Sequence, residues 1–461
     1  MHSVLVPTSA NLPRSAVKKK PNLFFILKVS VAAALGGLLF GFDTAVISGA
    51  IPYIKIYFSL NEFMLGWAVS SILIGCAAGA VLAGPLADRY GRKWVLLCCA
   101  VLFALSGVGA GLSGTLLQFV FFRLLGGLGV GAAAMVSPMY IAEIAPSSLR
   151  GRLVAMYQLA IVTGILLAFF SNYLLAGAGA NNWRWMFASQ TAPAVLFLIV
   201  LLRIPETPRW LIKKGRTEQA RIILQKTEPG ADHEAEIAAI MQSFSNNGAP
   251  RLSEMFSRKY YRVLWIGIFI AVFQQVTGIN AIMYYAPEIF KETGLSTMGA
   301  LLQTTGIGVV NVLATVLAIV LIDKIGRKKL LLGGSLLMGV SLTVVSFCFR
   351  LHYFEHYVVL IFMLLYVAAF CCTLGAVTWV YLSEIFPNRI RGLALSFATL
   401  ILWLSDFAVS YTFPVMKEKL GTSATLLTYA FFCILAFLYV QRKVPETKGK
   451  SLELIEQSFI Q

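Results

Sequence analysis

The chain has 461 residues, of which 58% are hydrophobic and 13% charged, with a formal net charge of +17 and a mean hydropathy of +0.78. A soluble domain carries about a quarter charged residues, so most of this surface faces something other than water. The positive charge would suit nucleic acid, but it lies between apolar segments, which ties it to membrane topology and argues against a nucleic-acid partner.

A bilayer-spanning helix needs about 20 apolar residues and satisfies its backbone internally. Segments of that kind are predicted at 23–51, 64–87, 94–113, 117–141, 153–175, 185–203, 261–286, 299–322, 329–349, 357–382, 392–415 and 424–441. The first follows Lys18–Lys20 like a signal peptide, but it is too long and carries Asp43 in its body. With both termini cytoplasmic, about 31 of the 38 Lys and Arg fall on that side, about 6 on the other and one inside the membrane, as the positive-inside rule requires. The expected organisation is a cytoplasmic tail (1–22), a six-helix bundle (23–203), a basic cytoplasmic linker with short helices (204–260), a second bundle (261–441) and a cytoplasmic tail (442–461). Within the linker, Asn246-Asn247-Gly248 marks a loop. The seven Cys all fall in apolar spans and the four His are isolated. Neither set has metal-ligand spacing, so no metal or other cofactor is expected and the Cys read as small hydrophobes.

Three strings recur in order. Asp88-Arg89-Tyr90-Gly91-Arg92 returns as Asp323-Lys324-Ile325-Gly326-Arg327. Glu143 with Arg150-Gly151 returns as Glu384 with Arg391-Gly392, and Pro205-Glu206-Thr207 as Pro445-Glu446-Thr447. Such near-constant offsets mark a duplication of one six-helix unit. Gly91 and Gly326 permit tight turns, and the neighbouring Asp and Arg side chains can form charge-assisted bonds between helix ends across the cytoplasmic mouth.

These strings, with Gly36-Gly37-Leu38-Leu39-Phe40-Gly41-Phe42-Asp43, Pro205 through Leu211, Gln274-Gln275-Val276-Thr277-Gly278-Ile279-Asn280 and Val444 through Gly449, resemble the sugar porter family of the major facilitator superfamily. The resemblance runs from about Ala34 to Leu454 and is strongest to bacterial sugar–proton symporters of the xylose type. It implies an all-α membrane protein of twelve helices in two pseudo-symmetric bundles. It also implies that Asp88, Arg89, Arg92, Glu143, Arg152, Asp323, Arg327, Glu384 and Arg391 latch the outward-open state on the cytoplasmic side.

A sugar needs neutral donors and acceptors and an aromatic plane, and amides supply both hydrogen-bonding roles. Amides are costly in lipid, so they should line a cavity. The spans hold Gln158, Gln274, Gln275, Asn280 and Asn311, with Trp379 and Trp403 among the aromatics. The resemblance makes each of these a sugar contact, together with Phe40, and makes Tyr284 and Tyr285 an external gate. Gln274 and Asn280 stand about 240° apart on a straight helix, so sharing a face requires a break, and Gly278 lies between them. Two positions depart from the family pattern. Leu402 stands where an amide is common, and Ala376 stands where a proline usually kinks the tenth span.

Three charges lie in the membrane interior of these spans, away from their ends: Asp43, Arg123 and Asp406, each costing about 2.5–3.5 kcal/mol on insertion scales. Asp43 and Arg123 match the carboxylate–guanidinium pair of proton-coupled relatives. Asp406 is one turn from Leu402 and has no assigned role. The expected function is proton-coupled symport of a hexose or pentose across the cytoplasmic membrane, by a chain acting as a monomer. Facilitated sugar diffusion and transport of a cyclic polyol such as inositol use the same cavity. A sugar sensor would need a long signalling tail. An enzyme would need a nucleophile–base pair, metal cluster or phosphate loop, and none is legible.

Overall fold

A computed structural model describes residues 21–146, 148–230, 232–245, 252–387, 389–450 and 454–456, without the side chains of 243–245 and 323. Residues 1–20 of the expected N-terminal tail, the Asn246-Asn247-Gly248 loop, most of the chain beyond 450 and the Asp323 side chain lie outside the described residues.

The first span is α1 (Leu23–Ala45) and α2 (Ile47–Tyr57), stepped at Val46. Single helices follow as α3 (Glu62–Tyr90), α4 (Arg92–Leu112), α5 (Leu116–Ile144) and α6 (Arg150–Leu175). The sixth span is α7 (Asn182–Ser189) with α8 (Thr191–Leu202). Four short helices join the halves: α9 (Pro208–Lys213), α10 (Thr217–Thr227), α11 (His233–Ser245) and α12 (Leu252–Met255). The seventh span is α13 (Tyr261–Val276) and α14 (Ile279–Lys291), and α15 (Thr297–Ile325) and α16 (Arg327–Leu351) follow. The tenth is α17 (Val358–Phe370), a π-helical turn at Cys371–Gly375 and α18 (Ala376–Ile385).

The last helical stretch, α19 (Arg391–Lys443), has 53 residues and would measure about 80 Å if straight, far more than the roughly 30 Å of a bilayer core. Gly421 breaks it with φ +80°. The Phe413 and Tyr429 rings on either side lie 6.2 Å apart and nearly parallel, so the chain folds back at Gly421. Residues 391–443 therefore supply spans eleven and twelve, and the fold has the expected twelve.

Glycine sets close helix packing in the first half. Gly75 and Gly79 of α3 face Gly127 and Gly131 of α5, and a Cβ on any of them would collide with the opposite main chain. In lipid there is little hydrophobic drive between helices, so such backbone approach supplies the packing.

The duplication is also visible in the hydrogen bonds at the end that carries the repeated strings. In the first half Arg92 pairs with Glu143 at 2.9 Å, and Glu143 accepts from the Thr207 hydroxyl at 2.6 Å. The Glu206 carboxylate accepts the backbone N–H groups of Arg92 (3.1 Å) and Lys93 (3.0 Å) at the start of α4. In the second half Arg327 pairs with Glu384 at 2.8 Å, and Glu384 accepts from Thr447 at 2.6 Å. Glu446 accepts from Arg327 (2.9 Å) and Lys328 (3.1 Å) at the start of α16. A carboxylate on a helix N-terminus meets unpaired N–H groups and the positive end of the dipole.

The Arg92–Glu143 and Arg327–Glu384 ion pairs each lie within their own half. Each network closes within its own half because its three partners sit on adjacent helix ends of one bundle. Arg152 is exposed and in no ion pair, Arg89 lies over the Tyr90 ring, and the Arg391 Nε donates to the Phe386 carbonyl.

Candidate functional site

The break in the seventh span creates the site. Gly278 has φ +92°, a region L side chains rarely adopt, and the Tyr429 ring occupies the space a Cβ would need. The Thr277 carbonyl freed by the break accepts from the Tyr366 hydroxyl at 2.9 Å. The change of direction brings Asn280 to Gln275, whose Oε1 accepts from the Asn280 Nδ2 at 3.0 Å. The Gln275 Nε2 reaches the Gln274 Oε1 at 3.4 Å. The Gln274 Nε2 in turn donates to the Leu374 carbonyl at 3.1 Å, with the Gly375 carbonyl at 3.5 Å.

Those two carbonyls belong to the π-helical turn, where the shifted hydrogen-bond pattern leaves main-chain acceptors available. The tenth span is thus irregular without the family's proline. The other end of the row is Asp406, fully buried, which accepts from the Asn280 Nδ2 at 2.6 Å and the Ser410 hydroxyl at 3.0 Å. Three amides and a carboxylate from spans seven and eleven therefore form one hydrogen-bonded row anchored on span ten.

Asn311 on α15 is buried, and its Oδ1 accepts at 3.0 Å from the thiol of Cys371 in the π-helical turn. At least this Cys acts as a donor rather than only as a hydrophobe. Trp403 is buried, its ring 5.7 Å from that of Phe40 in the opposite half. The Trp403 Nε1, the Tyr157 hydroxyl and the Thr378 hydroxyl are buried without a protein partner. Gln158 is half-buried, next to Tyr157. Trp379 is exposed, and among the described residues no hydrogen bond ties it to the amide row. Tyr284 and Tyr285 are buried. Tyr285 stacks on Phe413 at 4.7 Å and donates to the Ser410 carbonyl at 3.3 Å. Beyond it a cavity of about 320 Å³ opens at the end away from the repeated strings, lined by Lys55, Glu62, Glu288, Glu292 and Lys417 among others.

The other intramembrane polar group belongs to the first half. Arg123 and Asp43 are fully buried and joined at 2.8 Å. The same Arg123 nitrogen donates to the Asp43 carbonyl at 2.9 Å, and the guanidinium lies over the Phe187 ring at 5.6 Å. The second carboxylate oxygen of Asp43 and the Arg123 Nε and remaining terminal nitrogen have no protein partner. A Cβ on Gly126 would run into the Asp43 carboxylate, so this glycine gives the pair its room.

Two amides escaped the sequence reading. Gln190, buried beside this pair, donates to the Phe103 carbonyl at 3.0 Å and leaves its own oxygen unpartnered. Asn172 donates to the Val46 carbonyl at 3.1 Å, filling the step between α1 and α2. The signal was present, since an amide inside an apolar span is itself a marker.

Residues 29–459 match the family model described as "Sugar (and other) transporter". The chain is similar to the arabinose-proton symporter of Bacillus subtilis (strain 168), 40% identical over 454 residues that cover 97% of this chain and 98% of that protein. Among solved structures it is similar to the xylose transporter of Escherichia coli in an inward-open conformation, with a TM-score of 0.84, 41% identity and coverage of 94% and 99%. It is also similar to the major facilitator superfamily proton:xylose symporter bound to 6-bromo-6-deoxy-D-glucose, with a TM-score of 0.80, 41% identity and coverage of 95% and 100%.

Proposed function

We propose a function from the premise that the chain belongs to the sugar (and other) transporter family: it carries a monosaccharide, a pentose or hexose, together with a proton across the cytoplasmic membrane by alternating access. The observation that carries this reading is the division of polar groups between the halves. The second half presents the row Gln274, Gln275, Asn280, and the first half holds the buried Asp43–Arg123 pair.

Sugar hydroxyls would pair with these amides and with Gln158 and Asn311. The unpartnered Trp403 Nε1 and the Tyr157 and Thr378 hydroxyls offer further positions. Phe40 and Trp403 supply apolar planes, and Trp379 would close on the sugar from its exposed position. Tyr284 and Tyr285 would gate the far side. The repeated strings would lie in the cytoplasm with both termini, which the distribution of Lys and Arg supports. The latch residues would then hold each bundle rigid while the bundles rock. One chain supplies both walls of the cavity, so a monomer suffices.

Proton coupling follows from the pair. Arg123 stays charged, so the Asp43 carboxylate does the titrating. Protonation removes the attraction that holds α1 to α5 and favours their rearrangement. One proton entering down 100 mV supplies about 2.3 kcal/mol, enough for roughly 50-fold accumulation of a neutral sugar. The test is uptake into vesicles of D-xylose, arabinose, D-glucose and inositol, with and without a pH gradient, for wild type and Asp43→Asn. The expected result is gradient-driven accumulation of a monosaccharide by wild type and equilibration only by the variant. Equal final levels with and without the gradient in wild type would replace symport by facilitated diffusion, and uptake of inositol alone would replace the monosaccharide.

A further inference from the structure

We infer that Asp406 sets the donor–acceptor polarity of the amide row, so that a proton on this carboxylate changes how the cavity presents itself to sugar. The inference rests on the reading of the row as the sugar site. It adds a second acid, in the other half from Asp43 and in direct contact with the binding groups.

An ionised carboxylate only accepts hydrogen bonds. The atom of Asn280 that lies 2.6 Å from Asp406 must then be its NH2 group, and the same group also donates to the Gln275 Oε1 at 3.0 Å. Both Asn280 amide hydrogens are consumed, and only its carbonyl oxygen remains for a ligand. The constraint passes along the row. Gln275 must accept from Asn280 and donate to Gln274, and Gln274 donates to the fixed carbonyls of Leu374 and Gly375. Ionised Asp406 and the π-helical turn thus hold the two ends of one directed chain.

A neutral Asp406 carries an O–H donor. That donor meets the Asn280 carbonyl once the amide rotates by half a turn, which aims the NH2 group into the cavity. The Gln275 amide then rotates to donate to the Asn280 carbonyl, and its 3.4 Å bond to the Gln274 Oε1 is given up, because the Leu374 and Gly375 carbonyls hold Gln274 in place. Two amides exchange acceptor for donor, and no helix has to move.

The surroundings leave Asp406 to act through these partners. On its own helix it is faced by Ser410, and on α14 by Asn280 and, within electrostatic reach, by Tyr284. Cys76 of α3 lies within electrostatic reach of Asp406 and of the Asp43–Arg123 pair. No cation is hydrogen-bonded or ion-paired to Asp406 among the described residues. Ser410 also accepts at its carbonyl from the Tyr285 hydroxyl, which places the carboxylate between the amides and the candidate gate. Asp406 is a positioning residue in this scheme, since it acts through Asn280.

The experiment is equilibrium binding of D-xylose, arabinose and D-glucose to the purified full chain in lipid nanodiscs, from pH 5 to 9, with no gradient present. Wild type and Asp43→Asn are expected to show a dissociation constant that changes by about 2- to 10-fold through one titration, the worth of one hydrogen bond gained or lost. Asp406→Asn is expected to bind with a constant independent of pH, and Asp406→Glu to restore the dependence. A monodisperse size-exclusion profile qualifies each variant. A pH dependence that persists in Asp406→Asn, or one that disappears in Asp43→Asn, overturns the inference and leaves the transport reading standing. Failure of wild type to bind any of the sugars at any pH overturns both.

Discussion

The two halves share the main pairings of the network at the repeated strings and differ in the membrane interior. Arg92, Glu143, Glu206 and Thr207 repeat as Arg327, Glu384, Glu446 and Thr447 with the same pairing. Inside the membrane the first half buries one ion pair, Asp43–Arg123, where the second half builds a row of amides ending on Asp406. Duplication supplied one scaffold twice, and the interiors then diverged, because helix ends must be held in both halves while the interior polar groups differ between them.

The latches are not energetically equivalent either. Burial raises the Glu206 carboxyl above its ordinary value, only partly offset by the N–H groups of Thr207, Lys93 and Arg92. At Glu446 burial pushes the same way, but N–H bonds from Lys448, Arg327, Lys328 and Thr447 outweigh it and hold the carboxyl below its ordinary value.

Substitutions test this division between the halves. Arg123→Ala strands a fully buried carboxylate and should cost about 3–5 kcal/mol, while Arg327→Ala, whose partner reaches solvent, should cost about 1 kcal/mol. Thermal unfolding in detergent would compare them, and equal losses would erase the distinction between interior and latch. Gly278→Ala forces a side chain into a left-handed conformation against Tyr429. It should cost about 2–4 kcal/mol and displace Asn280 from Gln275, seen as lost sugar binding out of proportion to lost stability. Gln275→Ala interrupts the row without touching the first half. It should weaken sugar binding by about 1–3 kcal/mol and leave the pH-driven step intact, so unchanged affinity for every sugar tested would remove the row from the site.

The smallest expected effect separates the latches. Glu446→Gln should destabilise by about 1 kcal/mol at neutral pH, a hydrogen-bonding loss discounted for a half-exposed group. Glu206→Gln should destabilise less, because it also relieves a buried charge. The sign follows from proton linkage. A carboxyl held low in the folded state stabilises above its unfolded value, and that stability is lost as pH falls through the folded value. A carboxyl held high gains stability as pH falls. The difference between the two variants should therefore shrink below about pH 4, and a difference that grows there would reverse the assignment.

Much of this protein was legible locally. The spans are runs of apolar residues long enough for a bilayer, and the duplication is a repetition of short strings. The break at Gly278 follows from helix geometry, since Gln274 and Asn280 could not otherwise share a face. The residue types of the candidate site were legible for the same reason, because amides and charges stand out in an apolar span. Gln190 and Asn172 carried that signal too and were passed over.

Partnership was the illegible part. Asn280 meets Asp406 across 126 residues of sequence, Gln274 meets Leu374 across 100 and Arg123 meets Asp43 across 80. Which pairs meet depends on the rotation of each helix about its own axis, and the packing of its neighbours sets that rotation. The π-helical turn that replaces the missing proline and the closure of each latch within its own half depend on the same packing. Composition, repeats and glycine positions are properties of a segment and can be read from it. The orientation of Asn280 between two acceptors is a property of two spans at once, and it exists only after they have packed.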